Sequence, residues 1–468
     1  MQTMELANSN EGSIASGCKG AFIVLTLGLA IGSSTAQPSQ PDVYSVESNG
    51  VGETEVYRYG WSGGVTYQKS LLYSSAGLGY GALLDVDNQS TLVVRSGMNM
   101  VLVLSITPDG IVSTVFAHSA IQGNLTIGIA LPEVHQSGNF AFSKTTQYPS
   151  GRRTYGLCTG DRTGTTLSTL AEWDTVDFES TDLIQDVVSG DYYVAERFSG
   201  FNSPALFRIT ESGAVSTVIP RGTIPTFLNY NDWDQNPWTG EFVGTSWFGW
   251  PQYPYGPPGL QGSLWTRFRF VPWTPPVLLH SQRDLEQTFA VHEGRWLVGL
   301  HSPIMSPTPW SVIMVPYTGG TPVMYPASPP TPGSFTPAVL GQIALRGRRK
   351  VVGRGPATPG TDYSLSLNFP GEAGRGYQAG ASFGIQPGMT IGGKGVPLNL
   401  DPLFLLSLTN PAIFQGFSGA LDSGARASAT VRLPPSPGLR GLRVFFAALT
   451  YDGGGIRVVS DPIGMTVL

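Results

Sequence analysis

Apolar and polar residues alternate in short runs along the chain, and two patterns of alternation recur in a fixed order. The first is a turn followed by an apolar strand. It reads Gly138-Asn-Phe-Ala-Phe, Gly190-Asp-Tyr-Tyr-Val, Gly240-Glu-Phe-Val-Gly and Gly294-Arg-Trp-Leu-Val, with weaker copies at Ser90-Thr-Leu-Val-Val and Pro41-Asp-Val-Tyr-Ser. From Pro41 the copies follow one another at 49, 48, 52, 50 and 54 residues. The second is a hairpin, clearest in LFRITESGAVSTVI from Leu206, where two alternating strands flank a turn containing Gly213. It recurs from Val56, Val103, Leu157, Leu264 and Val312. Two markers, each present six times and interleaved, set a period of about 50 residues.

No amphipathic helix of convincing length interrupts the repeats, and Gly, Pro, Thr and aromatic residues favour strands and turns over helices. A period of this size holds about four short antiparallel strands. One small twisted sheet cannot bury both faces, whereas sheets set radially pack each on two neighbours. The expected fold class is therefore all-β, with a six-bladed β-propeller over residues 37–335. Closure of the ring is expected to join strands near Gln37 and near Gly333.

This region resembles the six-bladed secreted propellers related to the NHL and lactonase-type families, through generic marks such as Gly190-Asp-Tyr-Tyr-Val and Thr107-Pro-Asp-Gly110. The lactonase-type resemblance implies a catalytic calcium held by acidic and amide side chains in the central channel. It assigns none of those ligands to a residue of this chain.

Residues 326–337, PASPPTPGSFTP, form a stiff spacer. Beyond it, Tyr363-Ser-Leu-Ser-Leu, Leu403-Phe-Leu-Leu-Ser-Leu, residues 427–433 (ASATVRL) and Val444-Phe-Phe-Ala-Ala-Leu are separated by glycine turns, the pattern of a small β-sandwich over 336–468. This block resembles the Gly/Pro-rich C-terminal domain of large secreted proteins of environmental bacteria. Its marks are Asp401-Pro-Leu, Gly419-Ala-Leu-Asp-Ser-Gly-Ala-Arg-Ala-Ser-Ala, Leu433-Pro and Ser460-Asp-Pro. The resemblance implies no chemistry.

Composition confirms a globular chain. Gly and Pro together number 97 (60 and 37) of 468 residues, high but aperiodic, and 10 Trp, 18 Tyr and 22 Phe are too many for disorder. The N-terminus has the layout of a secretory signal: Lys19, an apolar run over 20–32, and Ser34-Thr35-Ala36 before Gln37. Thirteen apolar residues fall short of a bilayer span. Cleavage after Ala36 is expected, so residues 1–36 form a signal peptide and the mature protein is secreted or held in the cell envelope or periplasm, with no membrane span. Cys158 is then the only cysteine, and a buried strand position is expected for it rather than a reactive thiol.

Charge divides the chain in two. From Ala344 onward 12 basic residues face 6 acidic ones, net +6; the mature chain carries 26 basic and 30 acidic, net −4, which leaves the propeller region at −10. That balance argues against nucleic acid as a partner. Arg346, Arg348, Arg349, Lys350 and Arg354 are the densest basic cluster. They read as a solvated strand face or, alternatively, as a dock for an anionic polymer or lipid headgroups.

Candidate chemistry is sparse. Asp87, Glu133, Asp186 and Asp234 each stand shortly before an inner turn, with Asp85 and Asp232 two residues ahead of the first and last. Asp before a Gly-bearing turn ordinarily accepts backbone N–H bonds; the alternative is a ring of carboxylates, Asp85, Asp87, Glu133, Asp186 and Asp234, able to hold a calcium ion. No cofactor is otherwise expected. The five histidines form no HxH or HExxH arrangement, which leaves zinc without support. The longest repeat carries an aromatic segment in which Trp247, Phe248, Trp250, Tyr253 and Tyr255 are candidates for stacking on sugars or meeting a protein. Trp233, Trp238 and Trp265 are expected in the inner core of the blades. The leading expectation is an exported, monomeric, non-catalytic binding protein for an envelope glycan, a polysaccharide or a protein. The alternatives are a calcium-dependent hydrolase of the lactonase or esterase kind and a structural surface component.

Overall fold

The structure is a computed structural model. It describes residues 40–48, nearly all strands and hairpins from 54 to 345, and 350–468 without a break. The connections 198–204, 221–229, 249–261, 302–310 and 328–337, with several shorter ones, lie outside the description. So does the expected signal peptide. All described residues belong to one compact unit, Ala36–Leu468.

Among the described residues the protein is all-β apart from one α-helix and one short 3-10 turn in its C-terminal part. Among the described residues of its first three-quarters, consecutive strands pair into six antiparallel sheets. Sheet 2 runs Gly81–Asp87, Ser90–Ser96, Met100–Ile106, Val112–Ser119. Sheet 3 has Leu125–Val134 as its inner long strand, with the short Ile121–Gln122 paired on its other edge. Sheet 4 starts with Glu179–Gln185, sheet 5 with Tyr230–Gln235 and sheet 6 with Leu285–His292, and three strands follow each of these inner strands in chain order. From sheet 2 to sheet 6 the inner strands lie each beside the next.

Sheet 1 differs in origin. Its strands Val43–Ser48, Thr54–Trp61 and Tyr67–Ser75 are completed by two short pieces from far along the chain, Ala338–Val339 and Ala344–Leu345, which pair with Glu47–Ser48 and Val43–Tyr44. Ala344–Leu345 lies beside the first strands of both sheet 2 and sheet 6, so the series of inner strands closes on itself. The closing strand thus comes from residues 338–345, beyond the expected 335/336 boundary, and the next strand begins at Val351.

The apolar clusters sit between successive sheets, as radial packing requires. Val43, Tyr59 and Tyr67 of sheet 1 pack on Ala290, Val298 and Val312 of sheet 6, while Tyr44, Val46 and Val56 face Ile106 of sheet 2. Tyr155 and Leu157 meet Leu183, Tyr192 and Val194; Ile184 and Tyr193 meet Trp233 and Phe242. Cys158 is buried in Arg153–Gly160 and Trp233 in its blade, as expected.

The C-terminal part has two sheets around one core. Sheet 7 is Val351–Arg354, Asp362–Asn368, Arg426–Arg432 and Phe414–Gln415; sheet 8 is built on Gly376–Ser382 and Arg443–Asp452. Tyr363, Leu365, Leu367 and Val431 from one meet Tyr377, Ala379, Val444 and Phe446 from the other. The run from Leu403, expected as a strand, is instead helix α1 (Pro402–Thr409). Asp401 caps it, accepting the Phe404 N–H at 2.9 Å, and Pro402 stands at its first turn, where a missing N–H costs nothing. The helix buries Phe404 and Ser407 and leaves Leu405, Leu406 and Leu408 exposed.

Candidate functional site

The turns between first and second strands in sheets 4 and 5 are near copies, Gln185-Asp186…Gly190-Asp191 and Gln235-Asn236…Gly240-Glu241. Gly190 and Gly240 close them at φ of 83° and 71°, a backbone region only glycine enters freely, each N–H donating to the Asp186 or Asn236 carbonyl at 2.8 Å. The Asp186 carboxylate accepts from the Val188 and Ser189 N–H groups, from Ser189 Oγ, and from Gln235 Nε2 of the adjacent sheet at 2.6 Å. Gln235 Oε1 in turn accepts the Val187 N–H at 2.7 Å. Asp186 therefore closes its own turn and ties sheet 4 to sheet 5.

Asp234 does the same between sheets 5 and 6. Its Oδ2 accepts the Val291 N–H and its Oδ1 the Gln235 N–H, both at 2.7 Å. Both carboxylates are buried; Asp186 accepts from three N–H groups and one hydroxyl, and Asp234 from two backbone N–H groups.

Register also corrects the expected ring of carboxylates. Gln185 pairs with Tyr192 and Gln235 with Phe242, so Asp186 matches Asn236, not Asp234. In sheet 3, Val134 pairs with Phe140, which puts Glu133 level with Asp234. In sheet 2, Thr91 pairs with Ile106 just before the Thr107–Gly110 turn, as Tyr192 pairs with Ile209 before the Thr210–Gly213 turn. Val86, opposite Thr91, thus matches Gln185. Asp85, Glu133 and Asp234 share one row of the inner strands; Asp87 and Asp186 belong to the turn row two residues on. The side chains of Asp85, Asp87 and Glu133 lie outside the description. Among the described residues no three His, Cys, Asp or Glu side chains come together as a metal site.

The strand Phe242–Phe248 starts at the turn just described and runs away from it, ending on Trp247 and Phe248. The segment 249–261 therefore joins sheet 5 at the opposite end, as 198–204 joins sheet 4 and 302–310 joins sheet 6. The Trp247 and Phe248 side chains, and all of Trp250, Tyr253 and Tyr255, lie outside the described residues.

At the turn end the C-terminal part docks. Trp238, expected in a blade core, projects instead from the turn of sheet 5, and its indole N–H donates to Asp461 at 2.6 Å. Gln386 Nε2 donates to the Trp238 and Thr239 carbonyls. Val187 packs into a cluster with Ile385, Val396, Leu398, Phe445 and Val459. Arg443 reaches across to the Val187 carbonyl at 2.8 Å and to Glu211 at 3.4 Å, and donates to Thr466 Oγ1 on its own side at 2.7 Å. Burial raises the Glu211 carboxyl above its ordinary pKa and lowers the Arg443 guanidinium, so both groups give up hydration for the contact. Residue pattern alone gave no hint of this interface, because Arg443 meets partners 232 and 256 residues away.

No protein-family model matches the chain, and no curated protein matches it. Among solved structures it is similar to a hypothetical selenium-binding protein from Sulfolobus tokodaii, at 8% identity over 92% of this chain and 94% of that one, with a TM-score of 0.38. It is similar also to the WD40 domain of SCAP from fission yeast, at 9% identity over 91% and 92%, TM-score 0.29. An uncharacterized protein from Listeria monocytogenes EGD-e matches at 9% identity over 67% and 88%, TM-score 0.34. Likeness at these scores carries no argument about function.

Proposed function

We propose that the chain is an exported, non-catalytic binding protein: a six-bladed β-propeller of the NHL and lactonase-like kind, capped at one face by a C-terminal β-sandwich. In this reading it takes a glycan or protein ligand at the other face. The observation that carries it is the placement of the C-terminal part. Every described contact it makes with sheets 4 and 5 falls at the turn end, which leaves the far end of the same sheets to the long connections. The longest of these, 249–261, holds Trp250, Tyr253 and Tyr255 directly after Trp247 and Phe248. Uncharged rings on a connection opposite a rigid cap suit stacking on sugar faces.

The test is retention of the full-length protein on an array of neutral polysaccharides. Trp247→Ala with Trp250→Ala is expected to weaken retention about tenfold or more, each ring contributing on the order of 1 kcal/mol. Undiminished retention in that double variant would remove the aromatic segment from the binding face.

The shared row of Asp85, Glu133 and Asp234 is what favours the calcium-dependent hydrolase as a second reading. Asp234→Ala separates the two. If Asp234 only accepts the Gln235 and Val291 N–H groups and ties sheet 5 to sheet 6, the variant loses about 1–3 kcal/mol of stability for the unpaired donors. That loss should be equal with calcium or with chelator. A calcium-dependent rise in denaturation midpoint that the variant abolishes would favour the hydrolase.

A further inference from the structure

The outward face of sheet 7 is a second surface with a chemistry of its own. Sheet 8 lies between it and the propeller contact: alternate residues of Arg443–Asp452 point one way into the shared core (Val444, Phe446) and the other way into the cluster around Val187 (Phe445, Ala447). Sheet 7 gives Tyr363, Leu365, Leu367 and Val431 to that core. Its alternate residues therefore face away from the propeller.

That face is built of short polar side chains. Ser364 pairs across the strands with Thr430, which pairs with Gln415; Ser366 pairs with Ser428. All five are exposed or half-buried. Guanidiniums stand around them. Arg354 is opposite Ser364, Arg426 opposite Asn368 and Arg432 opposite Asp362, and all three arginines are exposed. Only Arg432 has an ion pair among the described residues, with Asp362 at 3.5 Å; both side chains are more than half exposed, so the pair is worth little and yields easily. The basic run noted in the sequence is divided here: Lys350 is buried, Arg354 joins this face, and its companions come from 72 and 78 residues further on.

We propose that this face docks a uronate-bearing polysaccharide. Hydroxyl and amide groups both donate and accept, as sugar hydroxyls do, and short side chains lose little entropy when ordered. The arginine fork matches a planar carboxylate with two parallel hydrogen bonds. Three guanidiniums against one carboxylate give the face a net +2, which suits a polymer with spaced charges. Nucleic acid calls for a denser basic surface or stacking rings, and the face has neither. A lipid surface calls for apolar groups to insert, and the outward face offers only half-buried Val352.

The experiment is affinity electrophoresis of the full-length protein through polygalacturonate, alginate and hyaluronate. Methyl-esterified polygalacturonate, double-stranded DNA and anionic phospholipid vesicles serve as comparisons. At least one free-acid polymer is expected to retard the protein, and esterification to abolish the effect. Retardation should weaken at least about tenfold in the triple variant Arg354→Gln, Arg426→Gln, Arg432→Gln. The triple Lys394→Gln, Arg440→Gln, Arg457→Gln makes the same change in net charge elsewhere on the C-terminal part and should keep it. Should the first triple fail to fold, Ser366→Glu keeps the arginines and sets a repelling carboxylate among the hydroxyls, with the same loss expected. The proposal is overturned if no free-acid polymer retards the protein, if both triples lose retardation equally, or if DNA or vesicles bind as tightly. Trp247→Ala with Trp250→Ala should leave this retardation intact, so the two surfaces stand or fall separately.

Discussion

Lys69→Met is expected to destabilise the protein by about 3–5 kcal/mol, the cost of leaving a buried charge without its partner. Lys69 Nζ lies 2.7 Å from Glu47 Oε2, and the two side chains are 4% and 0% exposed. The other carboxylate oxygen accepts hydrogen bonds from Ser45 Oγ at 2.6 Å and Tyr59 Oη at 2.7 Å, and the ammonium sits 4.0 Å over the Tyr57 ring. Burial, and then the Glu47 charge, hold the Tyr59 hydroxyl well above the usual tyrosine range, so it remains a donor throughout the accessible pH range. Two hydroxyl donors alone do not neutralise a carboxylate out of reach of water.

The position of the pair makes the loss consequential. Glu47 pairs with Val339 and Ser48 with Ala338, which belong to the short strand that closes the inner series. A charge left bare there strains the join between the two ends of the repeat region. Chemical denaturation of the single variant measures the loss. The double variant Lys69→Met, Glu47→Gln removes both charges, leaves an amide oxygen to accept from the Ser45 and Tyr59 hydroxyls, and should recover most of the loss, since the cost is that of the bare charge. A single variant within about 1 kcal/mol of the parent would mean that water reaches Glu47.

The strand repeat was legible because its signals are local. A glycine at positive φ, then alternating apolar residues, marks a turn and strand wherever it occurs, and Gly190, Gly240 and Gly294 all stand at positive φ. Carboxylate spacing was a poorer guide. The inner strands carry bulges, between Leu83 and Asp85, between Ser180 and Asp182, and between Tyr230 and Asp232, while the turns after them differ in length. Equal spacing along the chain then fails to give equal height in the sheet. Helix α1 had its cap written in Asp401-Pro402, but a run of leucines before a Gly/Pro-rich stretch reads equally well as a strand. The closing strand was expected near Gly333 and lies a few residues on. Its two short pieces have too little pattern to be placed, and their partner strand is some 300 residues away. The face of sheet 7 shows the same limit. Arg354 was visible as part of a basic run, but only strand pairing sets Arg426 and Arg432 beside it.

The docking of the C-terminal part is the other place where one side chain has a large expected effect. The Trp238 ring packs against Gly395, where a Cβ would come within 3.1 Å of it, and the Arg295 guanidinium lies 5.7 Å from the ring centre. Its indole N–H is the donor to Asp461. Trp238→Ala removes the ring from the contact and the donor from a part-buried carboxylate, together about 2–4 kcal/mol for a half-buried aromatic. The cores on either side are separate clusters and keep their own packing. The loss should therefore fall on the docking. Calorimetry of the variant is expected to show the C-terminal part unfolding as a transition distinct from that of the propeller region. Amide exchange should quicken through residues 384–399, which carry Ile385, Val396 and Leu398 of the interface, and stay slow at Leu365 and Phe446 in the C-terminal core. A variant that melts as the parent does, with exchange at 384–399 unchanged, would show that Arg443 and Val187 hold the contact without the indole.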